Sequence, residues 1–183
     1  MLHRAPQTTV PVQPLRPARP SGGGPLPEAP AAVVSGARRL ALRAGDRQTD
    51  TAHLLHSLLD SDPETRALFD DRPARLLRLR GYLAQRSIGY GLRWHGSAEG
   101  AGADRRPVRG GTAPLSPAAV TALAGAAARA RARGAEAAVS GPDLLASLAA
   151  EPDCRAAEVL RRTGVDAARL LARPEPRPVD AGS

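Results

Sequence analysis

The chain contains no lysine and no asparagine, and it has few aromatic residues and a single cysteine. All 26 of its basic residues are therefore arginine. A P-loop nucleotide-binding site needs the lysine of G-x-x-x-x-G-K-[ST], and a Schiff-base enzyme needs a lysine amine. The absence of lysine excludes both kinds of chemistry from these 183 residues.

Cysteine and long apolar runs are also scarce. Cys154 stands alone, so it cannot form an intrachain disulfide or a cysteine-based metal site. No stretch approaches the ~18 consecutive apolar residues of a membrane-spanning helix, and the N-terminus has no apolar segment of signal-peptide length. We therefore expect a cytoplasmic protein that does not contact a membrane.

The net charge of +8 and the pI near 11.3 favour an acidic partner such as nucleic acid. The makeup of that charge weakens the inference. Arginine without lysine, together with abundant Ala, Gly and Pro, is typical of high-GC codon usage whatever the function. Arg105, Arg106 and Arg109 are spaced irregularly with no aromatic-bearing module around them, so we interpret them as solvated charge.

Composition divides the chain into three parts. Residues 1–29 are rich in Pro, Gly and Arg and are predicted to be a disordered arm, and 174–183 a disordered tail. Residues 30–173 carry helical periodicity. Because only 2% of residues are aromatic, the core must be built from Leu, Ala and Val. A glycine-rich stretch at 87–114 is predicted to be a linker, with a short extended piece at 90–94.

Capping signals place the helix starts and ends. Starts are expected near Pro30, Asp50 or Thr51, Pro63, Pro73, Ser116, Ser140, Pro152 and Asp166. Ends are expected at Gly45, Gly134 and Gly164.

The two helical halves repeat the same short motifs in the same order. RLALRAG is followed by RARARG, HLLHSLL by DLLASLA, and PETRA by PDCRA, each pair 89 or 90 residues apart. One unit buries too little apolar surface to be secure alone. We therefore predict an all-α domain in which repeat one (30–86) and repeat two (115–173) pack about a pseudo-twofold axis.

These residues resemble the Clp repeat, which occurs in duplicate as the N-terminal domain of the Clp AAA+ unfoldases. The resemblance rests on DTAHLLHSL at 50–58, on SGPDLLASL at 140–148, on AAEVLRRTGVD at 156–166 and on LSP at 115–117. It covers about residues 31–173. It implies two tandem four-helix repeats and a role in recognising substrates. The chain looks like a free-standing Clp repeat protein without the ATPase modules.

Departures from the family pattern bear on its function. In some members the Thr and Glu of a Gly-Thr-Glu-His segment help to bind phosphorylated arginine. This chain keeps Thr51 but has Ala52 where the Glu would be, and Gly141 and Pro142 stand at the two places in the second half. A pocket for a phosphorylated guanidinium needs a carboxylate, so the resemblance does not carry that activity over.

The resulting hypothesis is a non-catalytic module that recognises peptides, adaptors or a Clp ATPase. An arginine-rich nucleic-acid-binding protein is the alternative. Five residues are candidates for contact with a partner. We expect most of them to lie in the core and only those with exposed side chains to make the contact. These candidates are Thr51, Leu54, Leu58, Leu144 and Leu148.

Residues that could bind a metal, act as a nucleophile or stack on a partner are interpreted as structural. His53 and His56 lie at i and i+3 on one helix, but no third ligand lies near them in sequence, so no metal site is expected. Cys154 has no histidine placed to activate it and is expected to be a small buried residue. Trp94 is expected to pack over the helices rather than against nucleic acid. No arrangement of Ser, His and Asp marks a catalytic site, and no cofactor is expected.

Overall fold

The computed structural model describes residues 28–87, Glu99 and residues 113–172. Regular structure in these residues is helical, apart from one isolated parallel bridge between Thr49 and Leu115. The helices are α1 (Glu28–Ala44), α2 (Thr51–Ser61), α3 (Pro63–Ala67), α4 (Pro73–Ser87), α5 (Pro117–Arg133), α6 (Gly141–Ala150), α7 (Arg155–Arg162) and α8 (Ala167–Leu171). The all-α fold class is confirmed, and the repeat relation between the halves stays a prediction.

The helix boundaries follow the capping residues. Asp50 accepts a hydrogen bond from the backbone N–H of His53 at 3.0 Å and caps α2. Ser116 caps α5 in the same way, with Pro117 in the first turn. Gly45 has a φ of 72°, which suits the glycine predicted after α1.

The predicted start of α7 is wrong by three residues. Pro152 and Asp153 form a turn, and α7 begins at Arg155 because Cys154 is its N-cap. The Cys154 sulfur accepts a hydrogen bond from the N–H of Ala157 at 3.4 Å and donates to the carbonyl of Leu148 at 3.3 Å. At this helix the capping side chain of Cys154 therefore marks the helix start better than Pro152 does.

Several predicted segments lie outside the described residues. These are the arm up to residue 27, the tail from residue 173, and the linker apart from Glu99 and residues 113–114. The undescribed part of the linker contains the predicted extended piece at 90–94, with Trp94, and the arginines at 105, 106 and 109. No helix in the described ranges is long and apolar enough to cross a membrane.

The core is aliphatic, as the composition requires. α1 packs along α2 and α5 along α6, while α2 and α6 also contact each other and most of the remaining helices. The buried centre consists mainly of leucines from these two helices: Leu54, Leu55, Leu58, Leu59, Leu144, Leu145 and Leu148. Phe69 supplies the one aromatic side chain among the fully buried residues described.

Small residues allow the close approach of paired helices. Gly36 of α1 lies against Ser57 of α2, and a Cβ at position 36 would lie 3.2 Å from the Ser57 Cβ and would collide with its hydroxyl. Gly125 of α5 lies against Ser147 of α6 in a similar contact. The close packing of α1 on α2 and of α5 on α6 therefore depends on glycine at these crossings.

Gly36→Ala is expected to lower the free energy of unfolding by about 1 kcal/mol, because overpacking outweighs the gain in helix propensity. Gly81→Ala is the matched control, since a Cβ there meets open space on α4. It is expected to raise stability by up to about 1 kcal/mol. Urea unfolding followed by circular dichroism measures both, and equal effects at the two sites would contradict the crossing contact.

Candidate functional site

Two chain segments pair where the halves of the molecule meet. The Thr49 N–H donates to the carbonyl of Pro114 at 2.7 Å, and the Ser116 N–H donates to the carbonyl of Thr49 at 2.9 Å. The Thr49 hydroxyl also donates to the carbonyl of Ala113 at 3.0 Å. Since Thr49 precedes α2 and Leu115 precedes α5, this pairing sets the first turns of the two helices side by side.

The carboxylate of Glu99 lies between the first residues of α2 and α7 and the N-cap of α5. Its Oε1 accepts from the Thr51 N–H at 2.8 Å and from the Ser116 hydroxyl at 2.5 Å. Its Oε2 accepts from the Arg155 N–H at 2.9 Å and from the Thr51 hydroxyl. We call the donors of Thr51, Ser116 and Arg155 the Glu99 cradle.

Neighbouring helices fix the orientation of the two hydroxyls in the cradle. The Thr51 oxygen accepts from the N–H of Ala156 at 3.0 Å, and the Ser116 oxygen accepts from the N–H of Ala119 at 3.1 Å. Each hydroxyl proton is therefore left to point at Glu99. Free N–H groups and the helix dipole make helix N-termini favourable for an anion.

A second charged cluster lies beside the cradle. The imidazole of His53 stands between two carboxylates, with Nε2 at 3.2 Å from Asp46 and Nδ1 at 2.8 Å from Asp50. Asp50 is also contacted by the guanidinium of Arg155. Burial lowers the pKa of His53, but hydrogen bonds to Asp46 and Asp50 outweigh burial and raise that pKa to about 9.

The protonated state of His53 decides what this cluster does chemically. Burial alone would raise the pKa of Asp50, but its hydrogen bond and ion pairs with His53 and Arg155 hold it below the usual range. The ligand atoms of Asp46, Asp50 and His53 lie within 4.8 Å of one another. An imidazolium has no free lone pair for a metal, so the raised pKa of His53 favours an ion-pair cluster. The backbone N–H of Asp50 also lies 3.2 Å from Nδ1, a contact that the neutral imidazole accepts. His56 faces Asp60 instead, at 3.6 Å.

A polar pocket of about 280 Å³ opens beside both groups. Its lining includes Glu99 and Arg155 together with the exposed Asp46 and Arg47. The lining therefore carries both acidic and basic groups.

A larger apolar groove lies elsewhere on the surface, across α6, α7 and α8, with a volume of about 670 Å³. We call it the α6–α8 groove. Its floor is formed by small and aliphatic side chains, among them Ala146, Ala149, Ala157, Leu160, Val165 and Leu171. Arg129, Arg161 and Asp166 line it as exposed charged residues.

The predicted partner-contact residues are all buried. Leu54, Leu58 and Leu148 have no exposed surface, and Leu144 is 2% exposed. All four leucines therefore lie in the core, which is where the sequence predicts most of the candidates. Thr51 is equally buried, and its backbone and hydroxyl donate to Glu99. The contact role of these residues stays a prediction, and the accessible surfaces lie elsewhere.

Sequence reasoning missed Glu99 and Arg155 as site residues. Glu99 lies in a glycine-rich stretch without periodicity, and no neighbouring residue marks its carboxylate as buried. Arg155 looks like any surface arginine of a helix first turn. The one available signal is that Thr51 and Ser116, as first-turn and N-cap residues, offer donors that an acid could satisfy.

Solved structures provide the comparison that decides the fold. The crystal structure of the Hsp104 N-terminal domain from Candida albicans superposes with a TM-score of 0.57 at 12% identity, covering 77% of this chain and 83% of that one. The fold is that of a Clp N-terminal domain. A structure from preliminary investigations of a malarial protein secretion system has a TM-score of 0.52 at 14% identity, covering 77% and 86%.

The Clp N-domain fold confirms the resemblance drawn from the helix caps and the leucine-rich motifs. At 12–14% identity the likeness concerns the fold alone. No protein-family model and no curated protein matches the sequence.

The His53 cluster predicts that stability falls as the solution becomes alkaline. A folded-state pKa raised from 6.5 to about 9 gives stability that is complete below pH 6.5 and is lost as the pH rises through about 9. At about 1.4 kcal/mol per pKa unit, the loss is at most about 3.5 kcal/mol. Urea unfolding between about pH 6 and pH 10 measures it. His53→Gln is the control, and an equally steep decline in that variant would contradict the assignment.

Burial raises the pKa of the Cys154 thiol, and the side chain is 2% exposed. A thiol reagent needs an accessible thiolate, so it is expected to react with the folded protein at least about a hundredfold more slowly than with the denatured chain. Absorbance during labelling with dithionitrobenzoate measures both rates. Similar rates in the two states would show that Cys154 is not held as an N-cap.

Proposed function

We propose that this chain is a non-catalytic recognition module of the Clp chaperone–protease system, which binds peptides or a Clp ATPase in the cytoplasm. The observation that carries the proposal is the Clp N-domain fold, to which the Hsp104 N-terminal domain also belongs. These 183 residues contain no lysine for a P-loop, so mechanical work on a substrate falls to an ATPase outside them.

The α6–α8 groove is the surface that suits this role. Alanines in its floor leave room for apolar side chains of a partner, and the burial of such side chains drives most protein association. Arg129 and Arg161 outnumber Asp166, the one acid of the lining, so the charge of the groove favours acidic residues beside the apolar ones. The occupant we propose is therefore a peptide segment with apolar anchors and acidic flanks.

Charged substitutions in the groove test its role. Ala150→Glu and Ala168→Glu replace two exposed groove residues by an acid that repels such a peptide and reduces the apolar surface. Each is expected to weaken binding at least about tenfold, or about 1.4 kcal/mol. Ala32→Glu is the matched control, because Ala32 is an exposed helical alanine of α1 outside the groove.

The measurement uses the full chain with two probes, a purified Clp ATPase from the same cell and a permanently unfolded protein such as carboxymethylated α-lactalbumin. Titration by fluorescence anisotropy gives the affinities, and a degradation assay with the Clp protease gives the effect on turnover. Binding of neither probe would overturn the proposal. Equal affinities for the groove variants and the control would overturn the groove.

The nucleic-acid alternative makes a different prediction. It requires affinity for generic duplex DNA that falls steeply and linearly with the logarithm of salt concentration. DNA binding of this kind, without binding of either protein probe, would replace the proposal by the alternative.

A further inference from the structure

We propose that a basic surface on α1–α4 is a second docking surface of this chain, and that it binds an acidic segment of a partner protein. Four helices contribute its residues, which are Arg43 of α1, His56 and Asp60 of α2, Arg66 of α3, and Leu77 and Arg80 of α4. We call this set the Arg43–Arg80 face. None of these residues lines the α6–α8 groove, so the two surfaces are able to bind different partners.

Asp60 holds cations from two other helices together at the centre of the face. Its carboxylate accepts a hydrogen bond from Arg80 at 2.8 Å, and its backbone carbonyl accepts one from Arg66 at 2.9 Å. His56 lies one turn earlier on α2, with Nε2 at 3.6 Å from the Asp60 carboxylate. These contacts bring the charged groups of α2, α3 and α4 to one place on the surface.

Arg43 of α1 belongs to the same cluster. Burial lowers the pKa of His56, the Asp60 carboxylate opposes this effect, and the positive charges of Arg80 and Arg43 lower that pKa further. Two arginines act on one imidazole in this way only when both guanidinium groups lie near it. Arg39 is exposed one turn before Arg43 on α1, so it extends the positive charge along that helix.

The face carries more positive charge than its own acid neutralises. Three arginines meet the single carboxylate of Asp60, and Arg43 forms no ion pair with an acid of the described ranges. The Arg80 and Asp60 side chains are 46% and 43% exposed, so a partner is able to reach this pair. Arginine forms bidentate hydrogen bonds with carboxylates and is enriched at protein interfaces. The charge of the face is therefore complementary to an acidic segment.

An exposed leucine beside the arginines favours a protein over a nucleic acid as the partner. Leu77 is 70% exposed, the highest value among the described large apolar side chains. Arg80 follows it by one turn of α4, so both side chains lie on the same side of that helix. A leucine is stabilised when an apolar side chain covers it, and phosphates do not provide one. The partner segment that fits the face therefore combines several acids with an apolar side chain.

The test is a fluorescence anisotropy titration of a labelled acidic peptide with the full chain. The peptide has both ends blocked and consists of glutamate with leucine at every fourth position. Arg43→Glu and Arg80→Glu are each expected to weaken binding at least about fivefold, because an acid then faces the acids of the peptide. Arg131→Glu is the matched control, since it changes the net charge equally at an exposed position of α5. It is expected to change the affinity less than about twofold.

Equal affinities for the two face variants and the Arg131→Glu control would overturn the proposal. So would equally tight binding of a peptide with glutamine in place of glutamate. Exposed ion pairs contribute little to stability, so all variants are expected to fold, and circular dichroism checks this. Should Arg80→Glu not fold, Arg80→Gln removes the charge without repelling Asp60. It is expected to weaken binding at least about twofold, and unchanged binding would count against the face.

Leu77→Ser tests the apolar contact of the face. It is expected to weaken binding of the acidic peptide at least about threefold, because the leucines of the peptide lose an apolar partner. With alanine in place of leucine in the peptide, the effect of Leu77→Ser is expected to fall below about twofold. The same loss with both peptides would contradict a contact between Leu77 and a partner leucine.

Other anionic occupants and the groove are separated by further measurements. Duplex DNA and vesicles of phosphatidylserine both present phosphate groups. Binding of either one more tightly than the acidic peptide, with a loss in Arg80→Glu, would overturn the assignment to a protein. Ala150→Glu alters the α6–α8 groove and is expected to leave the affinity for the acidic peptide within about twofold. A loss of at least about tenfold there would instead place the peptide in the groove, so failure of the face and failure of the groove are distinguishable.

Discussion

The parallel pairing of Thr49 with Leu115 brings the starts of α2 and α5 together, and the start of α7 meets them there. Helix N-termini carry partial positive charge and unsatisfied N–H groups, so bringing them together inside a protein is unfavourable without an anion. Glu99 supplies that anion for all three, with four donors on one carboxylate. The positive ends of these three helices therefore explain why a carboxylate is buried between them.

Arg155 connects the two polar groups of the junction. Its backbone N–H donates to Glu99 and its guanidinium contacts Asp50, which also pairs with His53. Farther along the same helix, Ala157 and Leu160 line the α6–α8 groove. α7 therefore carries a buried polar contact at its first residue and part of the lining of the α6–α8 groove at later residues.

The helices could be predicted from the sequence because their signals are local. A capping side chain and its acceptor lie three residues apart, and a terminal glycine needs only its own φ, as at Asp50 and Gly45. The start of α7 is harder to place because Pro152 and Cys154 both fit a first turn, and only the fold shows which one closes it. Local signals of this kind also carry the resemblance to the Clp repeat.

The site could not be predicted in the same way, because Glu99 lies 17 to 56 residues from the groups that bind it. No periodicity or spacing in the glycine-rich segment 87–114 distinguishes Glu99 from Asp104, the other acid of that segment. The leucines predicted as contact candidates are identifiable by their helical spacing, yet that spacing is what places them in the core. The burial of these leucines and the contacts of Glu99 are therefore both consequences of the tertiary fold and not of a local pattern.

The two helix starts that lack the acids of the Clp pattern still have carboxylates against them. Ala52 follows Thr51 in α2, where the acid comes from Glu99. At the start of α6, a Cβ on Gly141 would collide with the carboxylate of Asp62, which also caps α3. Both helix starts are therefore met by carboxylates from other parts of the chain, the first by Glu99 and the second by the N-cap residue of α3.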